Sequence, residues 1–404
     1  MLDIKYIKEN KKEVLKGIKA KGFDADIDVL LALDKKRNIL RKKIEELNTE
    51  RKNTADKKNI DKGKEIKLKL SKLQSEEKII SKKVDDIARK LPNLPLPEVP
   101  VGKNETENTV LREIGKKPTF DFPVKDYIAL GEKLGWIETE RSGKAIGSRF
   151  GYLLRSAVDL EFALVRLAFD VLKKEDFIPI VPPVFLKPEA MRGMGYLDYN
   201  KDEIYHLEKD DLYLIGTSEQ AIGAMHMNEI LGAKSLPLRY VGFSSCFRRE
   251  AGSYGKDTKG ILRVHQFDKI EMFSFTKPED SRKEHEFLLS MEEKLMKALE
   301  IPYRVLQICT GDLGFQAANK YDIEAWLPGQ NQYHETHSTS NDTDFQSRRL
   351  NIKFKNPQSG KNEFVYTLNG TAFAIGRMII AIMENNQQKD STIKTPTVLE
   401  GYIK

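Results

Sequence analysis

The sequence predicts an α+β protein: a helical hairpin followed by a domain built on an antiparallel sheet. Three observations point there. Apolar residues recur at heptad spacing between positions 30 and 91, a proline-rich break covers 90–108, and short apolar runs then follow one another with few helices between them.

The heptad comes first. Leu30, Leu33, Arg37, Leu40, Ile44, Leu47 and Arg51 alternate spacings of three and four. Ile66, Leu70, Leu73, Glu77, Ile80, Val84, Ile87 and Leu91 do the same. Each set makes a seam along one helix face. Between them, KNTADKKNIDKGK reads as the turn, with Asn53 and Gly63 as breakers, so residues 29–91 form an antiparallel coiled-coil arm within an N-terminal domain of residues 1–91. Four prolines in 92–108 end the second helix and make that stretch the linker. The second domain, 109–404, opens its regular structure with a long helix at 156–174. Strands follow in 177–186, 211–220, 237–250, 260–275, 303–311, 321–328 and 363–370, and helices in 281–299 and 371–387.

Composition excludes several classes. With 404 residues, 40% of them hydrophobic and 32% charged, the chain can bury a core in a large domain and a smaller one. No stretch approaches the about 20 apolar residues of a membrane span, and MLDIKYIKENKKEV has no apolar signal core. No membrane partner is expected, and the location expected is cytoplasmic. Cys246 and Cys309 have no CxxC partner, so reduced thiols and no structural zinc are expected. Charge is uneven. Lys35–Lys90 holds 20 Lys and Arg against 10 Asp and Glu, a local excess of ten positive charges, whereas the whole chain is only +7. Charged coiled-coil faces are often merely solvated, but such an excess suits a polyanion.

The chemistry concentrates in CFRREAGSYGKDTKGILRVHQFDKIEMF, 246–273. Strand parity puts Arg248 and Glu250 on one face, and Arg263, His265, Phe267, Lys269 and Glu271 on one face of the returning strand. A hairpin with loop 251–261 would join them into a surface of guanidinium, carboxylates and a ring, suited to a nucleotide. In GTSEQ, parity pairs Thr217 with Glu219. In NQYHETHSTSN, Glu335 and Ser338 offer hard oxygens for Mg²⁺. Arg377 stands among Phe373, Ala374, Ile380 and Ala381, where a charge needs a partner, an internal acid or a ligand phosphate.

These stretches, together with LDKKRNILRKKIEELNTERK, PNLPLPEVPVGKNETEN, AIGSRFGYL, PPVFLKPEAMRGMGYL, YDIEAWLPGQNQYHETHSTSN and LNGTAFAIGR, make the chain resemble the seryl-tRNA synthetases, a family of class II aminoacyl-tRNA synthetases, over nearly its whole length. The resemblance implies a class II catalytic domain and ATP-dependent ligation of L-serine to tRNA(Ser) through a seryl-adenylate. Charging of tRNA(Sec) stays open. It implies a homodimer through the long helix and the strand ending at Pro183.

Residue by residue, it implies that Arg248 holds the α-phosphate and Arg377 the γ-phosphate, as the catalytic arginines. The implied ATP site comprises Arg248, Arg249, Glu250, Val264 and Phe267, the run Glu335, Thr336, His337 and Ser338, and Arg377. Glu335 and Ser338 would carry Mg²⁺ with ATP. Thr217, Ser218, Glu219, Arg248, Glu271 and Thr371 would surround serine. Ser218 and Arg249 stand where the family commonly has Ala and Ser, and parity places both on the far face. His265 and His334 read as structural, since adenylate formation needs mainly positioning and charge neutralisation. The basic arm would grip tRNA outside its anticodon. The 27 residues after Arg377 leave no room for the C-terminal anticodon domain of the threonine, proline and histidine enzymes. Two rivals differ in a feature of the sequence. Paralogues that load carrier proteins typically lack the arm. An inactive paralogue acting as an RNA- or partner-binding module would have lost Arg248, Glu271 or Arg377.

Overall fold

A computed structural model describes residues 1–56, 60–199, 201–251 and 259–403, and its contacts divide the chain into Met1–Leu94 and Pro95–Lys404.

In the first unit, α1 (Ile4–Glu9) and α2 (Lys11–Ala20) precede two 30-residue helices, α3 (Ile27–Asp56) and α4 (Ile60–Arg89). The Asp3 carboxylate caps α1 by accepting from the Lys5 and Tyr6 N–H groups. Ion pairs Lys36–Glu76, Arg41–Glu77 and Lys62–Glu50 link α3 and α4 in antiparallel order. The heptad seam faces inward: Leu30, Leu40, Ile66, Leu70, Ile80, Val84 and Leu91 are buried. Of its polar members, Arg37 is half-buried against Asp34 at 2.5 Å, and Glu77 accepts from Arg41 and Ser81. Arg51 is exposed. Ile7, Val14 and Ile18 close the base of the hairpin against Leu30, Val84 and Leu91. The expected turn is shorter than the sequence suggests. Asn53 and Gly63 lie inside the helices, because about 1 kcal/mol of glycine penalty is small beside a continuous packed seam. Residues 57–59 of that turn lie outside the described residues.

In the second unit the proline-rich stretch is packed. Leu96 donates its N–H to the Ala318 carbonyl at 2.8 Å, and Val99 is buried with Leu306 and Ile308. The sheet has eight strands, β1 (Thr109–Ile114), β2 (Ile178–Ile180), β3 (Leu238–Phe247), β4 (Gln266–Thr276), β5 (Tyr303–Gln307), β6 (Asn319–Leu327), β7 (Gln332–Asn341) and β8 (Tyr366–Ala374). Their order is β1-β5-β6-β7-β8-β4-β3-β2, antiparallel except for β2 with β3. The antiparallel expectation is met.

Three amphipathic helices, α5 (Ser156–Lys173), α7 (Ser281–Ala298) and α8 (Ile375–Asn385), cover one face. Leu164, Leu288 and Ile379 pack there on Ile270, Met272, Ile323, Ala325 and Ala372. The alternate residues of the same strands, Lys269, Glu271, Lys320 and Thr371, line a cavity on the other face. A shorter helix, α6 (Ser218–Met225), adjoins β3 and β4. Two strand expectations shift. The segment 211–220 is a strand only at Leu212–Leu214 before it turns into α6. Residues 371–374, expected in the last helix, belong to β8, where Glu271 pairs with Thr371.

Candidate active site

One cavity of about 290 Å³ brings most of the nominated residues together. Arg248 and Arg377, 129 positions apart in the chain, both line it. So do Glu250, Val264, Phe267, Glu335, Thr336 and Ser338, and with them Thr217, Glu219, Glu271 and Thr371. Arg249, His337 and Ser218 do not.

The parity expectation for the opening hairpin needs correction. β3 ends at Phe247, which pairs with Gln266 at the start of β4, so Arg248, Glu250, Arg263 and His265 lie beyond the ladder. The Arg248 N–H donates to the His265 carbonyl at 2.9 Å, and Nδ1 of His265 lies 3.0 Å from the Arg248 carbonyl. That exchange continues the hairpin by one turn, and His265 serves it rather than the cavity. Arg248 then leans across the cavity floor: its Nε donates to the Gly216 carbonyl at 3.1 Å, and its guanidinium lies 5.2 Å from the Phe267 ring centre. Glu250 adopts a positive φ of 50° and pairs with Arg263 at 3.2 Å. Arg249 turns away. Its N–H donates to the Glu203 carbonyl, and its guanidinium lies 5.5 Å from the Tyr205 ring. Residues 252–258 of the expected loop lie outside the described residues.

Thr217 and Glu219 converge by a helix cap and not by strand parity. Thr217 is the N-cap of α6, its hydroxyl accepting from the Glu219 N–H at 3.3 Å. This puts Glu219 in the first turn, buried yet on the cavity wall. Ser218 points away and donates to the Gly242 carbonyl.

Two β-bulges shape the remaining wall. In β7, His337 pairs with Ile323 and Glu335 with Glu324, leaving Thr336 as the extra residue. Glu335 and Ser338 are three apart and would face opposite sides of a regular strand; the bulge puts both on the cavity. His337 is pressed into the core 5.9 Å from Phe373, and burial lowers its ring to about 3, so it is neutral. His334 lies 2.5 Å from Gln332, away from the cavity. In β8 the extra residue is Ala372, between Thr371 and Phe373, and it lets both Thr371 and Ala374 face inward.

Electrostatics divides the site into two ends. At one, Arg377 donates to the Glu335 carbonyl at 2.8 Å and approaches its carboxylate at 3.5 Å. Enclosure pushes the Glu335 carboxyl up, but Arg377, Lys320, Arg248 and Lys269 more than offset this and hold it below its ordinary value. An ionised carboxylate beside a hydroxyl oxygen fits a hard divalent cation accompanying polyphosphate. At the other end, burial raises the Glu271 carboxyl to about 7, with Lys269 opposing the rise through an ion pair. Sequence reasoning put Lys269 on this face without assigning it a role. It missed Tyr196, Lys320, Asp342 and Asn369. Of these, Asn369 shares parity with Thr371, a signal that was available.

Residues 1–95 match the seryl-tRNA synthetase N-terminal domain family, and residues 203–386 match the tRNA synthetase class II core domain family (G, H, P, S and T). The serine–tRNA ligase of Acidothermus cellulolyticus is 44% identical over all of this chain and 98% of its own length. That of Nitrosopumilus maritimus is 42% identical over all of this chain and 99% of its own. The crystal structure of seryl-tRNA synthetase from Pyrococcus horikoshii complexed with ATP superposes with a TM-score of 0.93 at 41% identity, covering all of this chain and 98% of that one. The chain belongs to the seryl-tRNA synthetase family, class II aminoacyl-tRNA synthetases.

Proposed function

We propose that this chain activates L-serine with ATP in the cavity between Arg248 and Arg377 and transfers it to tRNA(Ser) held by the basic hairpin. The single observation that carries the site assignment is the pair of distant arginines lining one cavity together with Glu335, Ser338 and the buried acids Glu219 and Glu271.

The activity is serine–tRNA ligation, in two steps. The serine carboxylate attacks the α-phosphorus in line, an oxygen–phosphorus bond forms, and pyrophosphate leaves. Arg248 neutralises charge developing on the α-phosphate and Arg377 charge on the leaving pyrophosphate. A terminal ribose hydroxyl of tRNA then attacks the adenylate carbonyl and AMP departs. Phe267 and Val264 flank the adenine, with Glu250 at its amino group. Thr217, Glu219, Glu271 and Thr371 surround serine. Buried hydrogen-bonding groups reject alanine, which would leave them unpaired, more strongly than limited space rejects threonine. Mg²⁺ arriving with ATP would be held by Glu335 and Ser338 and would supply charge neutralisation on the phosphates.

Exposed lysines of α3 and α4, Lys42, Lys43, Lys72 and Lys78 among them, meet the tRNA backbone by shape and charge. The protein acts as a homodimer. Exposed Phe162 on α5, Ile178 on β2 and Val181 supply an apolar surface for a second copy. Among the described residues no helix is long and apolar enough to cross a membrane, and the cytoplasm is where its substrates reside. Pyrophosphate exchange into ATP tests this directly: exchange is expected with serine and is at background with alanine and threonine. No exchange with serine would leave only the inactive-paralogue reading.

A further inference from the structure

We propose that Gln346 and Tyr196 are positioning residues for Glu219, two neutral donors that present its carboxylate to the ammonium of the bound amino acid. The inference rests on the serine-site reading above. Gln346 lies on the short helix Phe345–Leu350 and is fully buried. Its Nε2 donates to Oε1 of Glu219 at 2.9 Å across 127 positions of sequence. The Tyr196 hydroxyl donates to the other oxygen, Oε2, at 3.2 Å. Each carboxylate oxygen thus has one donor, which fixes the plane of the group. Among the described residues Oε1 of Gln346 has no partner, so the bond to Glu219 is the polar engagement of that amide. A third contact ties the two donors together. Arg349, on the helix that carries Gln346, donates to the Arg192 carbonyl at 3.3 Å and to Asp198 at 2.7 Å, flanking Tyr196 on both sides in sequence.

The comparison with Glu271 gives the clamp its meaning. Lys269 already forms an ion pair with Glu271, so that acid has its counter-charge inside the protein. The hydrogen-bond partners of Glu219 are both uncharged, and Lys269 and Arg248 act on it through space, so neither donor to the carboxylate is itself a cation. Burial pushes the Glu219 carboxyl up, while Gln346, Lys269, Tyr196 and Arg248 oppose the rise. The titratable and charged groups around it are Lys269 and Arg248 on the sheet side, Glu271 beside Lys269, and Tyr196 with Asp342. Removing a donor makes the carboxyl easier to protonate and frees it to rotate.

The test is serine-dependent pyrophosphate exchange by the full chain carrying Gln346→Met, which keeps volume and loses the donor, or Tyr196→Phe. Gln346→Met should raise KM for serine about tenfold to a hundredfold, as expected for a lost hydrogen bond to a charged group, and leave KM for ATP within about twofold. Tyr196→Phe should move KM the same way by less, its bond being longer, and it carries the test alone if the methionine variant does not fold. The acid limb of kcat/KM for serine should move to higher pH in Gln346→Met. An unchanged KM for serine overturns the proposal, as does a parallel rise in both KM values with a lowered melting temperature. Lack of exchange in the unaltered protein would instead overturn the serine-site reading, so the two failures are distinct.

Discussion

The helical unit and the sheet unit use charge in opposite ways. In α3 and α4 the charges are many, exposed and largely interchangeable; ion pairs such as Lys36–Glu76 are about half exposed on both partners, a setting in which each contributes little. In the cavity the charges converge on one small space and each has a specified partner: Lys269 buried on Glu271, Arg377 on a Glu335 that stays open to solvent, Arg248 over Phe267. A dispersed field suits a polyanion whose backbone is met at many points. A concentrated one suits a transition state whose charge develops at one or two atoms. The tolerance of the two regions to substitution should differ accordingly.

The largest expected effect tests the concentrated end. Arg377→Ala should lower kcat/KM for serine-dependent exchange by about 100- to 1000-fold, with urea-unfolding stability retained. Arg377→Lys should recover little, since an ammonium cannot reproduce a guanidinium fork. A loss of only a fewfold would show that this charge is as dispensable as those of the arm. The intermediate effect tests the dispersed end. Replacing Lys42, Lys43, Lys72 and Lys78 together by glutamine should lower kcat/KM for tRNA by about tenfold and flatten its salt dependence, with exchange unchanged. Lys43→Gln alone should fall within about threefold. If that single change reproduces the whole loss, the arm too has a concentrated site and the contrast fails.

The smallest effect concerns a half-buried acid that neither region spends on ligand. Burial, and then its hydrogen bond to Asp268, raises the Glu161 carboxyl on α5 to about 8. The folded chain therefore keeps a proton that the unfolded chain releases above about 4.5. Stability should decline as pH rises from about 5 to about 8 and then level off. Glu161→Gln should flatten that slope, read as urea midpoints at pH 6 and pH 9. An unchanged slope would assign the titration to other groups.

Legibility in the sequence follows the same divide. The hairpin could be read because its contacts repeat: seam residues recur every three or four positions from Leu30 to Arg51 and from Ile66 to Leu91, and only the turn was expected too long. The cavity was legible where a local motif carries the residue, as with Arg248, Phe267 and Arg377. It was not legible where strand regularity breaks. Period-two reasoning cannot place Glu335 and Ser338 on one wall, since a bulge at Thr336 does that. It assigned Thr217 and Glu219 to a strand, when a helix cap joins them. Gln346 gave no signal at all, for an isolated glutamine has no periodicity and its partner lies 127 positions away.

The sequence by itself determined the α+β class, the antiparallel hairpin, its basic excess and the family, because these depend on composition, short-range period and contiguous motifs. Tertiary structure alone decided that two arginines share one cavity, which acid is already neutralised by a lysine and which is held by neutral donors. Those outcomes depend on where bulges, caps and chain crossings put side chains from distant segments, and no local rule encodes such distances.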